Sequence, residues 1–412
     1  MPVTRPTRSA HMFVLSTATA LTLGLLQPSA TASPIAFYGV DPFVPPHPFS
    51  RTEAWAITPD GRSVVGNALI SSGGFAPDVT YARVHESPSG PQWQIPGLGA
   101  NSSFRAVSPD GRFVAGQANN GAGADSALWD LQTGAIHRLA RGGTVFGLSA
   151  MGSRAVGRVG SSAVSWENGV QVTLSSSSRS AARAVTADGQ IVAGYAGSYQ
   201  APRAVLWTSA GESLLPLPDG TTRSAAYAIS ADGGVVVGYS GTEESGSGAT
   251  PRGWLTRWAR SSTGEYVATT IGDGTVPLYP DLVERLNAAV SPDGSVIGGN
   301  ASWQRPAVWS ESMGLVMLHE FLGPYIGAIP LDPENLQWTE VRSPFEVTGI
   351  AADNRTIIGN SAWVLRDPYG GVEELGNYGF RAQIPAPGAA ALMMCGGLLA
   401  SRRRRAKHRN TC

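Results

Sequence analysis

The chain has 412 residues with 30 basic and 30 acidic side chains, but this neutrality is a sum of unlike parts. Arg5, Arg8, Arg402, Arg403, Arg404, Arg405, Lys407 and Arg409 take eight of the 30 basic residues to the two ends, leaving 22 against 30 acidic ones between them, a net of −8. An acidic middle excludes general nucleic-acid binding, which needs a basic face. The single lysine, Lys407, excludes a Schiff-base or P-loop lysine from the body, and two cysteines placed at Cys395 and Cys412 exclude a disulfide framework or thiolate zinc site there.

Residues 1–32 read as a secretory signal peptide. Arg5 and Arg8 form its basic start, Met12 to Leu26 its apolar stretch, and Ala30-Thr31-Ala32 a small-x-small cleavage site, with the mature chain starting near Ser33. The implied address is outside the cytoplasm. Residues 33–53 form a lead-in segment rich in proline and aromatics, among them Phe37, Tyr38, Phe43, Pro45, Pro46, Pro48 and Phe49. It is a candidate to pack across the first or last of the units that follow.

Residues 54–380 repeat one pattern seven times. Its clearest copy is Ala106-Val107-Ser108-Pro109-Asp110-Gly111, followed by Phe113-Val114-Ala115-Gly116. The other turns centre on Asp60, Met151 (an eroded copy), Asp188, Asp232, Asp293 and Asp353, and successive turns lie 50, 41, 37, 44, 61 and 60 residues apart. A β-branched run, a Pro-Asp-Gly or Ala-Asp-Gly turn and a second β-branched run ending in Gly make a hairpin. A third strand ends in Trp129, Trp166, Trp207, Trp309 or Trp363, and a Gly turn then leads to a fourth apolar stretch such as Ile136 to Leu139. Four strands per 40–60 residues is the unit of an all-β β-propeller, here of seven four-stranded blades. A lone blade cannot bury its two apolar faces, so the unit must repeat, and the Trp series supplies the packing between blades.

Between the later turns, Ser240 to Thr250 reads as an exposed Gly/Ser/Glu loop, Asp281 to Leu286 as one or two helical turns and Leu315 to Leu322 as a short helix. The tail, 381–412, carries Pro385-Ala386-Pro387, an apolar stretch and the Arg402–Arg405 cluster. Gly388 to Ser401 spans about 21 Å as a helix, short against a bilayer core of about 30 Å. Its basic flank would stay cytoplasmic while the body lies outside.

The repeats resemble the HAF repeats of extracellular bacterial proteins, where Val-Val-Gly and a later Ala-x-Leu-Trp recur. The stretch Leu318 to Trp363, with Trp338-Thr339, Gly349-Ile350 and Ile357-Ile358-Gly359, is similar to the last repeat of such proteins. The tail resembles a PEP-CTERM sorting signal, with Pro385-Ala386-Pro387 standing where that family has Pro-Glu-Pro. The resemblance implies export, transient membrane contact through the C-terminal helix, and cutting by an exosortase-type enzyme. The residues that carry this sorting are Ala30, Ala32, Pro385, Pro387, Arg402, Arg403, Arg404 and Arg405. The family implies no catalytic residues. Ser-Pro-Asp-Gly also resembles the TolB-like propeller repeat, which runs into an aromatic-rich strand rather than Val-x-Gly.

No catalytic, cofactor or metal fingerprint is read. Turn chemistry explains each Asp of the repeat, no loop spaces oxygen ligands as a calcium loop does, and His47, His85, His137 and His319 are scattered. The functional expectation is an exported, non-enzymatic protein of the cell envelope, cell surface or extracellular matrix that binds a glycan or a protein and uses no cofactor. The alternative is a secreted polysaccharide hydrolase or lyase with a carboxylate and Arg site in the propeller channel. Convergent Asp, Glu, Arg and Tyr side chains in one deep channel would favour the enzyme, and a flat or apolar rim would favour binding.

Overall fold

The computed structural model describes residues 35–37, 50–70, 79–85, 92–94, 102–119, 124–175, 177–198, 200–242, 252–277, 286–302, 305–322, 327–330, 339–366 and 372–384. The signal peptide, most of the 240–250 loop, residues 281–285 and the sorting tail from Pro385 on lie outside them. Contacts divide the chain into Met1–Ser33 and Pro34–Cys412, and every described residue belongs to the second part.

The described strands form seven antiparallel sheets, six of four strands and one of five. Within the four-stranded sheets each strand pairs with the one before it, as consecutive hairpins require. Each sheet packs against the next in chain order, and the last packs against the first. This cyclic arrangement of antiparallel sheets is an all-β propeller.

Closure brings the chain's two ends together. The short strand Ile35–Phe37 pairs with Val372–Gln383, with Ile35 opposite Ala382 and Phe37 opposite Phe380. Counting outward from Thr339–Ile350, it is the fourth strand of the last sheet, so the N-terminal segment supplies the edge that the C-terminal repeat lacks. A further strand, Gly327–Pro330, pairs with the start of Thr339–Ile350 and makes this sheet five-stranded, a departure from the four strands read from the repeat.

The repeated turn is held by its own side chains. In the second copy the Ser108 hydroxyl donates to Asp110 Oδ1 at 2.5 Å, and Asp110 Oδ1 also accepts the Arg112 N–H at 3.1 Å. The Phe113 N–H donates to Ser108 Oγ at 2.9 Å, and Gly111 takes the left-handed φ of +73° that lets the chain reverse. Thr58–Asp60, Thr186–Asp188, Ser230–Asp232 and Ser291–Asp293 repeat the hydroxyl-to-carboxylate bond. The aspartates read as turn residues thus bond within their turns, and Asp293 Oδ2 also accepts from Asn354 Nδ2 of the next sheet's turn at 2.7 Å.

The residue after that Ser or Thr then links neighbouring turns. Ala150 N–H donates to Ala187 O at 2.8 Å, Ala187 N–H to Ala231 O at 3.1 Å, and Ala231 N–H to Pro292 O at 2.9 Å. Ala352 N–H donates to Pro59 O at 2.7 Å, bonding the last sheet's turn to the first. Pro59, Pro109 and Pro292 accept or stand apart because proline has no N–H to give.

Tryptophans seal the sheet interfaces. Trp129 packs with Phe104 of its own sheet and Val65 of the sheet before; Trp166 packs with Ala106 and Ala115, again of the preceding sheet. Both indoles are 1% exposed, and Trp207 and Trp258 repeat the arrangement. Removing about 200 Å² of indole from water is worth roughly 5 kcal/mol at most. Trp309 is only partly buried, and the side chain of Trp363 lies outside the description. The expected fourth strands are present and largely exposed. Ile136–Arg141 and Val170–Thr173 lie mostly in solvent because nothing covers a propeller's outer edge. Ser240 and Gly241, read as the start of a loop, continue the strand Val235–Gly241. Of the helix expected over Leu315 to Leu322, only Leu318–Leu322 is helical, with Leu318 and Leu322 buried; Leu315 to Met317 belong to the strand Gly314–Met317, which completes the sixth sheet by pairing with Arg305–Ser310. Among the described residues no helix is long and apolar enough to cross a membrane.

Candidate functional site

The first strand of each sheet lines a central channel, and a local irregularity aims one side chain into it. Register shifts fall at Trp55, Arg105, Phe146, Arg183, Tyr227 and Thr348, the residue immediately before the repeated Ala-Val-Ser or its equivalent. Such a bulge leaves one residue unpaired and re-aims its side chain. The sixth sheet pairs without a bulge and puts Ala288 at the same position.

The repeated Gly, read from the sequence as the end of the second strand, lies inside it, as Gly116 does in Phe113–Asn119 and Gly157 in Arg154–Val159, because the strand runs on past the close approach, and there it makes the bulge possible. An added Cβ at Gly66, Gly116, Gly157, Gly194, Gly238 or Gly359 would lie on a backbone carbonyl oxygen of the first strand, well inside van der Waals contact. At Gly298, where the paired strand has no bulge, the same atom would instead meet the Val347 side chain.

These seven side chains form a collar between two chambers that they share. On one side is a polar chamber of about 510 Å³, lined also by Glu53, Gln117, Thr144, Arg158, Tyr195, Asn287, Phe345, Glu346 and Asn360. On the turn side is a chamber of about 280 Å³ walled by small apolar residues such as Ala106, Ala184, Ala228 and Ala289. The polar chamber falls in the size range of small-molecule sites.

In the collar, cations lie on rings. The Arg105 guanidinium carbon is 3.8 Å from the Trp55 ring centre. Arg183 sits between Phe146 and Tyr227, at 4.5 and 4.9 Å. Its Nη2 also reaches Leu286 O and Asn287 Oδ1, both at 3.4 Å. Burial pushes the Arg105 pKa down, opposed by Glu53, yet an arginine stays charged. Burial likewise pushes the Tyr227 phenol up, with Arg183 opposing, so it stays neutral.

The two carboxylates of the chamber are held by a repeated relay. Glu53 Oε2 accepts from Trp55 Nε1 and from Asn67 Nδ2, both at 2.9 Å, while Asn67 Oδ1 accepts the Phe104 N–H of the next sheet at 3.0 Å. Glu346 accepts from Asn360 Nδ2 at 2.5 Å and from Asn287 Nδ2 at 2.6 Å, while Asn360 Oδ1 accepts the Ala54 N–H of the first sheet at 2.9 Å. Asn67 and Asn360 both follow this repeated Gly. So do Gln117, which donates to Thr144 Oγ1 at 2.8 Å, and Tyr239, which donates to Asn287 O at 3.0 Å. Burial raises the Glu346 pKa and the two amides pull it back. These groups stitch one sheet to the next.

The sorting residues read from the sequence, Ala30, Ala32, Pro385, Pro387 and Arg402 to Arg405, lie outside the described residues. The collar was not read from the sequence. Its signal is positional, the residue before each repeated Ala-Val-Ser, and no shared residue type marks it. Among the described residues no group of three or more His, Cys, Asp or Glu is placed to hold a metal ion.

No protein-family model matches the chain, and no curated protein matches it in sequence. Among solved structures, TolB from Acinetobacter baumannii is similar with a TM-score of 0.41 at 14% identity, over 61% of this chain and 62% of that one. An oligogalacturonate lyase from Vibrio parahaemolyticus is similar with a TM-score of 0.47 at 10% identity, over 81% of this chain and 91% of that one. The β-propeller domain of the Trilobed protease from Pyrococcus furiosus is similar with a TM-score of 0.36 at 8% identity, over 79% and 83%. The match to the Acinetobacter TolB thus spans less than two thirds of that protein. The fold assignment rests on the sheet topology itself.

Proposed function

We propose that this is an exported binding propeller of the cell envelope or surface. Its seven sheets are the blades of one ring, and its channel holds a glycan. The ends provide the address. The basic start and Ala30-Thr31-Ala32 support secretion, and Pro385-x-Pro387 with the apolar stretch and Arg402 to Arg405 supports sorting by an exosortase-type enzyme after transient membrane contact. The repeat and the tail resemble those of HAF-repeat, PEP-CTERM-like proteins. Mass spectrometry of the protein from cells tests the address: the expected mature chain starts near Ser33 and lacks the Arg cluster, and a full-length chain overturns it.

The observation that carries the binding reading is the collar. Seven equivalent positions carry Trp55, Arg105, Phe146, Arg183, Tyr227, Ala288 and Thr348, aromatic and cationic groups gathered around one passage. A folded protein cannot enter a channel of this size, whereas a saccharide can. Ala288 is the smallest collar residue, so Ala288→Trp would plug the passage. Loss of glycan capture on an array, with the melting temperature kept, supports the reading; unchanged capture refutes it.

A second reading, a polysaccharide hydrolase or lyase, is favoured by the convergence of Glu, Arg and Tyr in one channel. Both oxygens of Glu346 accept from amides, however, and Glu53 is engaged by an indole and an amide. A general acid or base must instead face the substrate. Turnover of a polysaccharide that disappears in Glu346→Gln, with the fold intact, would favour the enzyme.

A further inference from the structure

We propose that the collar recognises a carboxylate, and that the glycan it takes is an acidic saccharide held by Arg105 and Arg183. This rests on the channel-binding reading above and names its ligand class. The argument begins with where the opposite charges go. Glu53 and Glu346 are the chamber's carboxylates, and their hydrogen bonds come from Trp55, Asn67, Asn287 and Asn360 rather than from the arginines. Among the described residues none accepts a hydrogen bond from the Arg105 guanidinium, whose carbon lies 3.8 Å from the Trp55 ring centre. Arg183 is held between two rings, and its Nη2 donates to Leu286 O and Asn287 Oδ1 at 3.4 Å.

The Trp55 ring covers one side of the Arg105 guanidinium. The N–H edge is where a planar carboxylate binds in a two-point fork. The two arginines stand on the second and fourth sheets with Phe146 between them on the third, and both line the polar chamber. The chamber beside them is lined by amide, hydroxyl and carboxylate groups that match the hydroxyls of a sugar ring. The small apolar chamber beyond the collar offers an anion nothing, so the acidic group stops at the arginines.

The test is titration calorimetry of the mature protein against a glucuronate disaccharide, a galacturonate disaccharide, their methyl esters, the matching neutral disaccharides, inorganic phosphate and sulfate. The expected result is binding of at least one uronate and about tenfold or greater weakening on esterification or in Arg105→Gln. Partial recovery is expected in Arg105→Lys, which keeps the charge and loses the fork. Arg62→Gln removes an exposed arginine and should change nothing. Melting temperatures separate a lost contact from a lost fold, and Arg105 is the safer variant because Arg183 is wedged between rings.

Equal binding of phosphate or sulfate would overturn the carboxylate assignment. Neutral sugars bound as tightly, without regard to Arg105, would overturn it while leaving the channel reading standing. No binding by any uronate would also overturn it, and glycan capture by wild type against Ala288→Trp then decides the channel reading separately.

Discussion

Replacing Gly157 by alanine tests whether the glycine inside the second strand is what lets the inner strand bulge into the channel. The added Cβ would fall on Thr144 O and stand 3.0 Å from Val145 Cα, both backbone atoms of the adjoining strand. Neither can swing aside as a side chain could. The strand must retreat, giving up the ladder around the Val145–Gly157 pair, about 1 kcal/mol for each of two hydrogen bonds. Repacking around Val145 and Trp166 adds roughly 1–3 kcal/mol. The expected loss is about 3–5 kcal/mol. Gly160, three residues on, is the control: its φ is +58°, and an added Cβ there meets nothing within 4 Å. Alanine at Gly160 should lose only about 1 kcal/mol, the left-handed penalty less the gain from a stiffer unfolded chain. Urea unfolding followed by tryptophan fluorescence measures both as midpoint shifts at constant slope. If Gly157→Ala proves no more harmful than Gly160→Ala, the close approach is not what demands glycine.

Trp166→Ala should lose about 3–5 kcal/mol in the same assay, and Trp309→Ala markedly less, because Trp166 is 1% exposed and Trp309 is partly solvated. Deleting residues 33–38 should lower the melting temperature and promote self-association, since Val372–Gln383 would become an open edge; light scattering and calorimetry read both. The turn aspartates make stability fall in acid. Hydrogen bonds hold Asp60, Asp188 and Asp232 below their ordinary value; at Asp293 burial opposes, but Ser291, Ser295 and Asn354 bring it to about 2. Their contribution is present above the unfolded pKa near 4 and is lost as pH falls through the folded values. Unfolding midpoints measured from pH 5 to 2 should therefore decline, and Asp293→Asn should flatten that decline.

The repeat was legible because each of its features answers a local need that recurs in every sheet. The hydroxyl and Asp close a turn, the Gly admits a bulge and the Trp fills an interface, so residue type alone betrays the role. The closure was half legible. Proline and aromatics marked 33–53 as a lead-in, but which edge Ile35–Phe37 would join is set by a partner more than 300 residues away. The exposure of the fourth strands was not legible, because Ile136, Val170 and Val172 are apolar and only the ring places them at the outer edge of their sheets.

The collar escaped for the opposite reason. At the position before each Ala-Val-Ser the chain writes Trp, Arg, Phe, Arg, Tyr, Ala and Thr, and no periodicity of type survives such variety. Had the position served packing between like sheets, like residues would recur there, as they do at Trp129, Trp166 and Trp207. A closed ring makes its seven inner strands equivalent in backbone but leaves them free to differ in what they present. Where a repeat keeps its residue, the fold requires it; where it keeps the geometry and changes the residue, the choice answers to whatever enters the channel.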